Sequence, residues 1–150
     1  MKQKVVSTLF LIILTAIFIF PLPSHANDDE VMSWARQTLV ETLSIDGKID
    51  PKLTSNYSLN AWNALNTFLN SLIRQTRAQN LTLHPLLDGP GNLVQSGTVQ
   101  HSNFFTGIRF WRVQQAVAIP EVDKNIIFTL LIIRTTENKF VITSLDMVWN

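Results

Sequence analysis

Beyond residue 26 the chain carries two side chains that titrate near neutrality, His84 and His101. An imidazole can serve as a general base or a metal ligand, but only with partners held at a workable spacing. Asp88 follows His84 by four residues, a gap that would stack both on one helix face, yet Pro85 forbids a continuous helix there. His101 stands in Gln100-His101-Ser102-Asn103, a polar turn between strands. Neither acquires a partner in the sequence for a proton relay or a metal site, so both read as surface histidines. Asp46 and Asp50 resemble the start of a calcium loop, but the further acidic ligands are missing. Asp146 lies in a strand near the C-terminus and needs no special role on an exposed face. There is no glycine-rich phosphate loop, nucleophile elbow or His-Glu-x-x-His run. The absence of cysteine removes disulfides, thiolate chemistry and sulfur-ligated zinc. We therefore expect no catalytic, cofactor-binding or metal-binding residues, and no enzyme.

Aromatic residues are what remains. Trp34, Trp62, Trp111 and Trp149 occur one per major element, a distribution suited to anchoring helices on a sheet or to lining an interface. Gln115 shares the inward parity of Trp111 and Val113, and a polar group there would favour a ligand pocket.

The elements that position these residues follow from periodicity. Asn27-Asp28-Asp29-Glu30 places acid at a helix start, and Val31, Trp34, Ala35, Thr38, Leu39 and Leu43 continue it at helical spacing until Gly47. Asp46 to Pro51 is a loop. Ser58 caps a second helix whose apolar stripe is Leu59, Trp62, Leu65, Leu69, Leu72 and Ile73, and Asn80 ends it. From Leu81 the period becomes two. Leu81 to Leu87 predicts an edge strand, Asp88 to Asn92 a turn, Leu93 to Val99 a weaker strand and Phe104 to Ile119 a long one. The unbroken apolar run after Ile126, ending at Arg134, predicts a central strand covered on both faces. In a last strand Val141, Leu145, Met147 and Trp149 alternate with Ile142, Ser144 and Asp146. The sum is an α+β domain: two N-terminal helices packed on a curved, mostly antiparallel sheet of four to five strands, the element order of an NTF2-like cone.

The first 26 residues differ in composition. Lys2 and Lys4 precede an uncharged stretch from Val5 to Phe20, and Pro21-Leu22-Pro23-Ser24-His25-Ala26 puts small residues at the places required for cleavage between Ala26 and Asn27. We read residues 1–26 as a signal peptide and residues 27–150 as a single exported domain, periplasmic or secreted. The alternative is an uncleaved inner-membrane anchor, which would be the domain's one tie to a membrane. The 124 residues after the cut hold ten basic and eleven acidic side chains. That balance provides no electrostatic footprint for nucleic acid, and the length is enough to bury about two-thirds of the unfolded surface.

Four stretches, taken in order, resemble the IcmL/DotI family: Val31-Met32-Ser33-Trp34-Ala35-Arg36-Gln37, Tyr57 to Trp62, Trp111-Arg112-Val113-Gln114, and Thr129-Leu130-Leu131-Ile132-Ile133-Arg134. The resemblance covers most of residues 31–149. It implies a bacterial envelope protein with an NTF2-like periplasmic domain, similar to an inner-membrane component of type IVB (Dot/Icm) secretion systems and to TraM of conjugation systems. It also implies work by protein contacts rather than catalysis, with envelope proteins, secretion-apparatus components among them, as partners. The family's apparatus members look like single-pass proteins with a cytoplasmic tail, whereas the tail here is Met1-Lys2-Gln3-Lys4. The expectation is accordingly a soluble or signal-peptide-bearing paralogue.

Overall fold

The computed structural model describes residues 26–46, 48–100 and 106–149. The expected signal segment up to His25, the stop at Gly47 and the turn at His101 lie outside them. Helix α1 (Ala26–Leu43) carries Asp28 and Asp29 in its first turn, where the positive end of the helix dipole favours carboxylates. Val31, Ala35, Thr38, Leu39, Thr42 and Leu43 form its buried stripe. Asp50 has a structural use after the loop. Its side chain accepts the Lys52 N–H at 2.9 Å and caps a short 3-10 helix (Pro51–Asn56) that begins on Pro51.

Ser58 starts helix α2 (Leu59–Gln79) as the sequence predicts, accepting the Ala61 N–H, and Asn80 ends it in the left-handed conformation. Ala61, Leu65, Phe68, Leu69, Leu72, Ile73 and Thr76 are buried. The expected stripe shifts at its start: Leu59 is exposed, Ala61 is buried in its place, and Trp62 is only partly buried.

Among the described residues the strands form one open antiparallel sheet in sequence order: β1 (Leu86–Thr98), β2 (Arg109–Ile119), β3 (Lys124–Arg134) and β4 (Phe140–Trp149). Helix α1 packs on β1 and β2, and α2 on β4. The fold is thus α+β, with the helices on one face of a four-stranded sheet. Trp111, Val113, Gln115, Val117 and Ile119 of β2 point inward with Ile126, Phe128, Leu130 and Ile132 of β3, and these meet the helical stripes in one core.

Three details differ from the sequence reading. Residues 81–85 are an irregular extended lead rather than a strand, with Leu83 buried and its N–H bonded to Ile45. The predicted turn at Asp88 to Asn92 does not reverse the chain but interrupts β1. Asp88 pairs with Ala116 and Asn92 with Gln114, so two extra residues bulge out between them. Gly89 and Gly91 permit this through φ of 77° and 79°. A further bulge lies in β4 at Thr143, where Leu131 pairs with Ser144 but Ile132 with Ile142. It reverses the parity of the strand, so that Ile142 and then Leu145 and Met147 face the core side while Val141 faces away. Ser58 locks this bulge, donating its hydroxyl to the Thr143 carbonyl at 2.9 Å and its N–H to the Ile142 carbonyl at 2.8 Å.

Candidate functional site

The N-terminal turn of α1 is clamped to one end of the sheet. The Trp111 indole Nε1 donates to Asp28 Oδ1 at 2.7 Å, and Arg109 Nη2 reaches the same oxygen at 3.4 Å while its guanidinium lies over the Trp111 ring. At the end of β3, Arg134 donates to Asn27 Oδ1 at 3.1 Å and approaches Glu30 at 3.9 Å, with its guanidinium over Phe140. Phe140 is the hub of the aromatics, 5.4 Å from the Trp34 ring centre and 5.7 Å edge-on to Trp111. Beside it an open groove of about 880 Å³ runs between α1, the 3-10 helix and the β3–β4 hairpin, lined by Trp34, Gln37, Asn56, Lys139 and Phe140 among others. Nothing in this assembly pairs a nucleophile with a base. Asp28 and Glu30 face the indole and guanidinium donors that hold the helix down, and Glu137 at the groove pairs with Lys139 at 2.8 Å.

The inner face of the sheet is filled. Gln115 is inward-facing as its parity predicts, and its amide nitrogen is held by main chain while its buried Oε1 has no hydrogen-bond partner among the described residues. Its Nε2 donates to the carbonyls of Ala116, Asp88 and Gly89 at 2.7, 3.2 and 3.4 Å. Gly89 lies in the β1 bulge, outside the paired register, so the buried amide supplies its carbonyl with a donor. Gly91 closes over it: a Cβ at that position would stand 2.5 Å from Gln115 Oε1 and 3.0 Å from Met32 Cε.

His84 has a partner the sequence spacing could not supply, for Glu121 Oε1 lies 2.8 Å from its Nδ1 and also accepts its main-chain N–H at 3.2 Å. The ring is largely exposed. Burial opposes ionisation of Glu121, but hydrogen bonds from its own backbone and from His84 outweigh it and hold the carboxyl below its ordinary range. Asp88 accepts from Asn125 instead of meeting His84, and Asp146 is exposed and accepts its neighbour's N–H. Deeper in, Tyr57 meets Thr42 at 2.8 Å between hydroxyls. Thr42 donates its one proton to the Thr38 carbonyl, so Tyr57 is the donor of this pair. Burial pushes the phenol up to about 12. Among the described residues no three His, Asp or Glu side chains converge as a metal site would require, and no helix is long and apolar enough to cross a membrane.

The four tryptophans divide. Trp111 is fully buried, while Trp34 and Trp62 are partly buried, the latter against Tyr57 at 5.6 Å. Trp149 is half exposed at the end of β4, 5.0 Å from Phe68 and under Lys124.

The opposite face of the sheet carries the surface that sequence reasoning missed. Phe110 and Arg112 of β2 and Ile127, Leu131 and Ile133 of β3 alternate with the buried residues and therefore point away from both helices. The central strand is covered on one face rather than two: its outward residues are only partly buried, and no helix or strand among the described residues lies over them. A shallow groove of about 500 Å³ runs across this face, lined by Gln95, Val99, Ile108, Phe110, Arg112, Leu131, Ile133 and Thr143. The signal was the unbroken run after Ile126. Apolar residues at both parities announce two faces that need covering, without saying that this chain covers both.

No protein-family model matches the chain, and no curated protein does. Solved structures do match. A periplasmic fragment of TraM superposes with a TM-score of 0.63 at 17% identity, covering 86% of this chain and 100% of the fragment. The periplasmic domain of DotI gives 0.63 at 15% identity, covering 85% and 97%. An IcmL-like type IV secretion system protein from Legionella pneumophila subsp. pneumophila str. Philadelphia 1 gives 0.61 at 16%, covering 87% and 96%. The chain has the IcmL/DotI-like fold, as the resemblance in its sequence implies.

Proposed function

We propose that this chain is a non-enzymatic interaction domain that is exported to the bacterial envelope and serves a type IV secretion or conjugation apparatus. In this reading residues 1–26 are removed as a signal peptide, residues 27–150 are the working domain, and the partners are secretion-apparatus proteins of the periplasm or inner membrane. The observation that carries it is the contrast between the two faces of one sheet. The inner face is packed and the amide nitrogen of its buried glutamine is bonded to main chain, whereas the outer face presents apolar side chains without a covering layer among the described residues. An apolar sheet face of this kind is a contact surface before it is anything else. The likeness of fold to periplasmic domains of TraM and DotI supports the compartment and the class of partner.

A second reading, an NTF2-like cone that binds a small ligand or is weakly enzymatic, draws on the groove beside Trp34. Cross-linking of the tagged protein in its own cells, followed by identification of adducts, separates the two. Reproducible adducts to envelope apparatus proteins are expected. A protein that yields none, and that leaves native mass spectrometry with a bound small molecule, would support the ligand reading instead.

A further inference from the structure

We propose that the outer face of the sheet seats an amphipathic helix of a partner protein, with an acidic side chain of that helix paired to Arg112. The inference rests on the protein-contact reading above and specifies the surface and the chemistry of the occupant.

Arg112 is the argument for charge. It is exposed, it stands in register with Leu131 on one side and Gln95 on the other, and Phe110 lies two residues away on the same face. Among the described residues it has no hydrogen bond, ion pair or ring contact. The other arginines of β2 and β3, Arg109 and Arg134, are both engaged with α1. No carboxylate lines the groove around Arg112. Asp146, which its register with Thr129 places on the same face, has its Oδ1 on the Met147 N–H. A lone guanidinium ringed by Phe110, Leu131 and Ile133 is complementary to one carboxylate inside an apolar stripe.

The form of the occupant follows from the hydrogen bonding. The main-chain groups of β2 and β3 are consumed on both sides by neighbouring strands, so this face offers side chains and no backbone. An added strand would find nothing to pair with here. A helix satisfies its own backbone and can lie on a sheet through side chains alone, as α1 and α2 do on the other face. The groove crosses from β1 to β4, about 14 Å at the usual strand spacing. Two to three helical turns, about 10 residues, match that width.

The test places photoreactive benzoyl-phenylalanine in place of Gln95, and separately in place of Leu131, in the tagged full chain expressed in its own cells. Ser33, in the groove beside α1, is the comparison position. Gln95 is exposed, so a probe there leaves the core untouched even if the one at position 131 disturbs packing. The expected result is that both outer-face probes join one protein, through a peptide with an Asp or Glu inside an apolar helical stripe. Arg112→Glu in the Gln95 probe background should lower the yield by roughly tenfold or more with unchanged thermal unfolding. Replacing the partner's acid with Lys should restore it. Adducts to lipid, to a second copy of this chain, or to a peptide lacking an acid would overturn the proposal, as would a yield indifferent to Arg112→Glu. Adducts from Ser33 alone would overturn this surface and leave the interaction-domain reading standing. No adduct from any position would count against both.

Discussion

Trp111 and Asp28 stand 83 residues apart in sequence and meet through a hydrogen bond of 2.7 Å, indole N–H to carboxylate, which fixes the first turn of α1 to the second strand. The ring is fully buried and the carboxylate is shared with Arg109. Trp111→Ala should cost about 3–5 kcal/mol as a core truncation. Trp111→Phe keeps much of the apolar volume but removes the donor, and should cost about 1–3 kcal/mol because a partly buried carboxylate loses a partner. Denaturant unfolding of both variants checks the order. Normal stability of Trp111→Ala with lost partner binding would mean that the ring serves an interface instead.

Stability should depend on alkaline pH through Tyr57. Its folded-state value of about 12 exceeds the 10.0 of an unburied phenol. The folded chain therefore keeps the proton more tightly than the unfolded chain does. Below pH 10 both forms are protonated and the contribution is constant; as pH rises from 10 to 12 the unfolded chain ionises first and stability falls, by roughly 2–3 kcal/mol at the upper end. Thermal unfolding across this range should show a fall that Tyr57→Phe flattens.

Gly89 and Gly91 share nearly the same positive φ but differ in surroundings, since a Cβ at Gly89 meets nothing within 4 Å while one at Gly91 meets Gln115 and Met32. Gly89→Ala should cost about 1–2 kcal/mol for the left-handed backbone alone. Gly91→Ala should cost about 2–5 kcal/mol, adding overpacking to the same strain. Equal losses would mean that Gln115 yields freely.

Replacing His84 and His101 together with Gln should leave folding and partner capture unchanged, with stability within about 0.5 kcal/mol. The reason for His84 is that its ring is largely exposed, Gln at this position keeps the main-chain N–H that Glu121 accepts, and pairs with one partner in solvent contribute little. A cellular phenotype at unchanged stability would reveal a role for titration and favour the ligand reading.

Intact mass of the envelope form should correspond to a chain beginning at Asn27. A full-length mass, with release only by detergent, would establish an anchor.

Local signals carried the outline of this fold because their causes are local. Ser58 and Asn80 mark the ends of α2 through short-range capping and backbone preference, and the parity of β2 is written in Trp111, Val113, Gln115, Val117 and Ile119. The bulges in β1 and β4 were illegible because a bulge is a relation between two strands, and only the partner's register shows which residue is surplus. For the same reason the sequence suggested Gln115 as a pocket group, whereas its amide nitrogen bonds the neighbouring Ala116 carbonyl and two more carbonyls 26 and 27 residues away that lie opposite it only once β1 has kinked. Glu121 beside His84, 37 residues on, belongs to this class too.

The interruption of β1 has a consequence for the life of the protein at high local concentration. An open sheet ends in two rows of unsatisfied main chain, and each can template the strand of a neighbouring molecule into an aggregate. Along β1 the bulges, the kinked glycines and Pro90, which has no N–H to give, break that row into pieces too short to extend. On the other side the chain covers the start of β4 with its own Tyr57–Ser58 segment. The far end of β4, at Val148 and Trp149, lacks such a guard among the described residues and is where uncontrolled association between copies would begin.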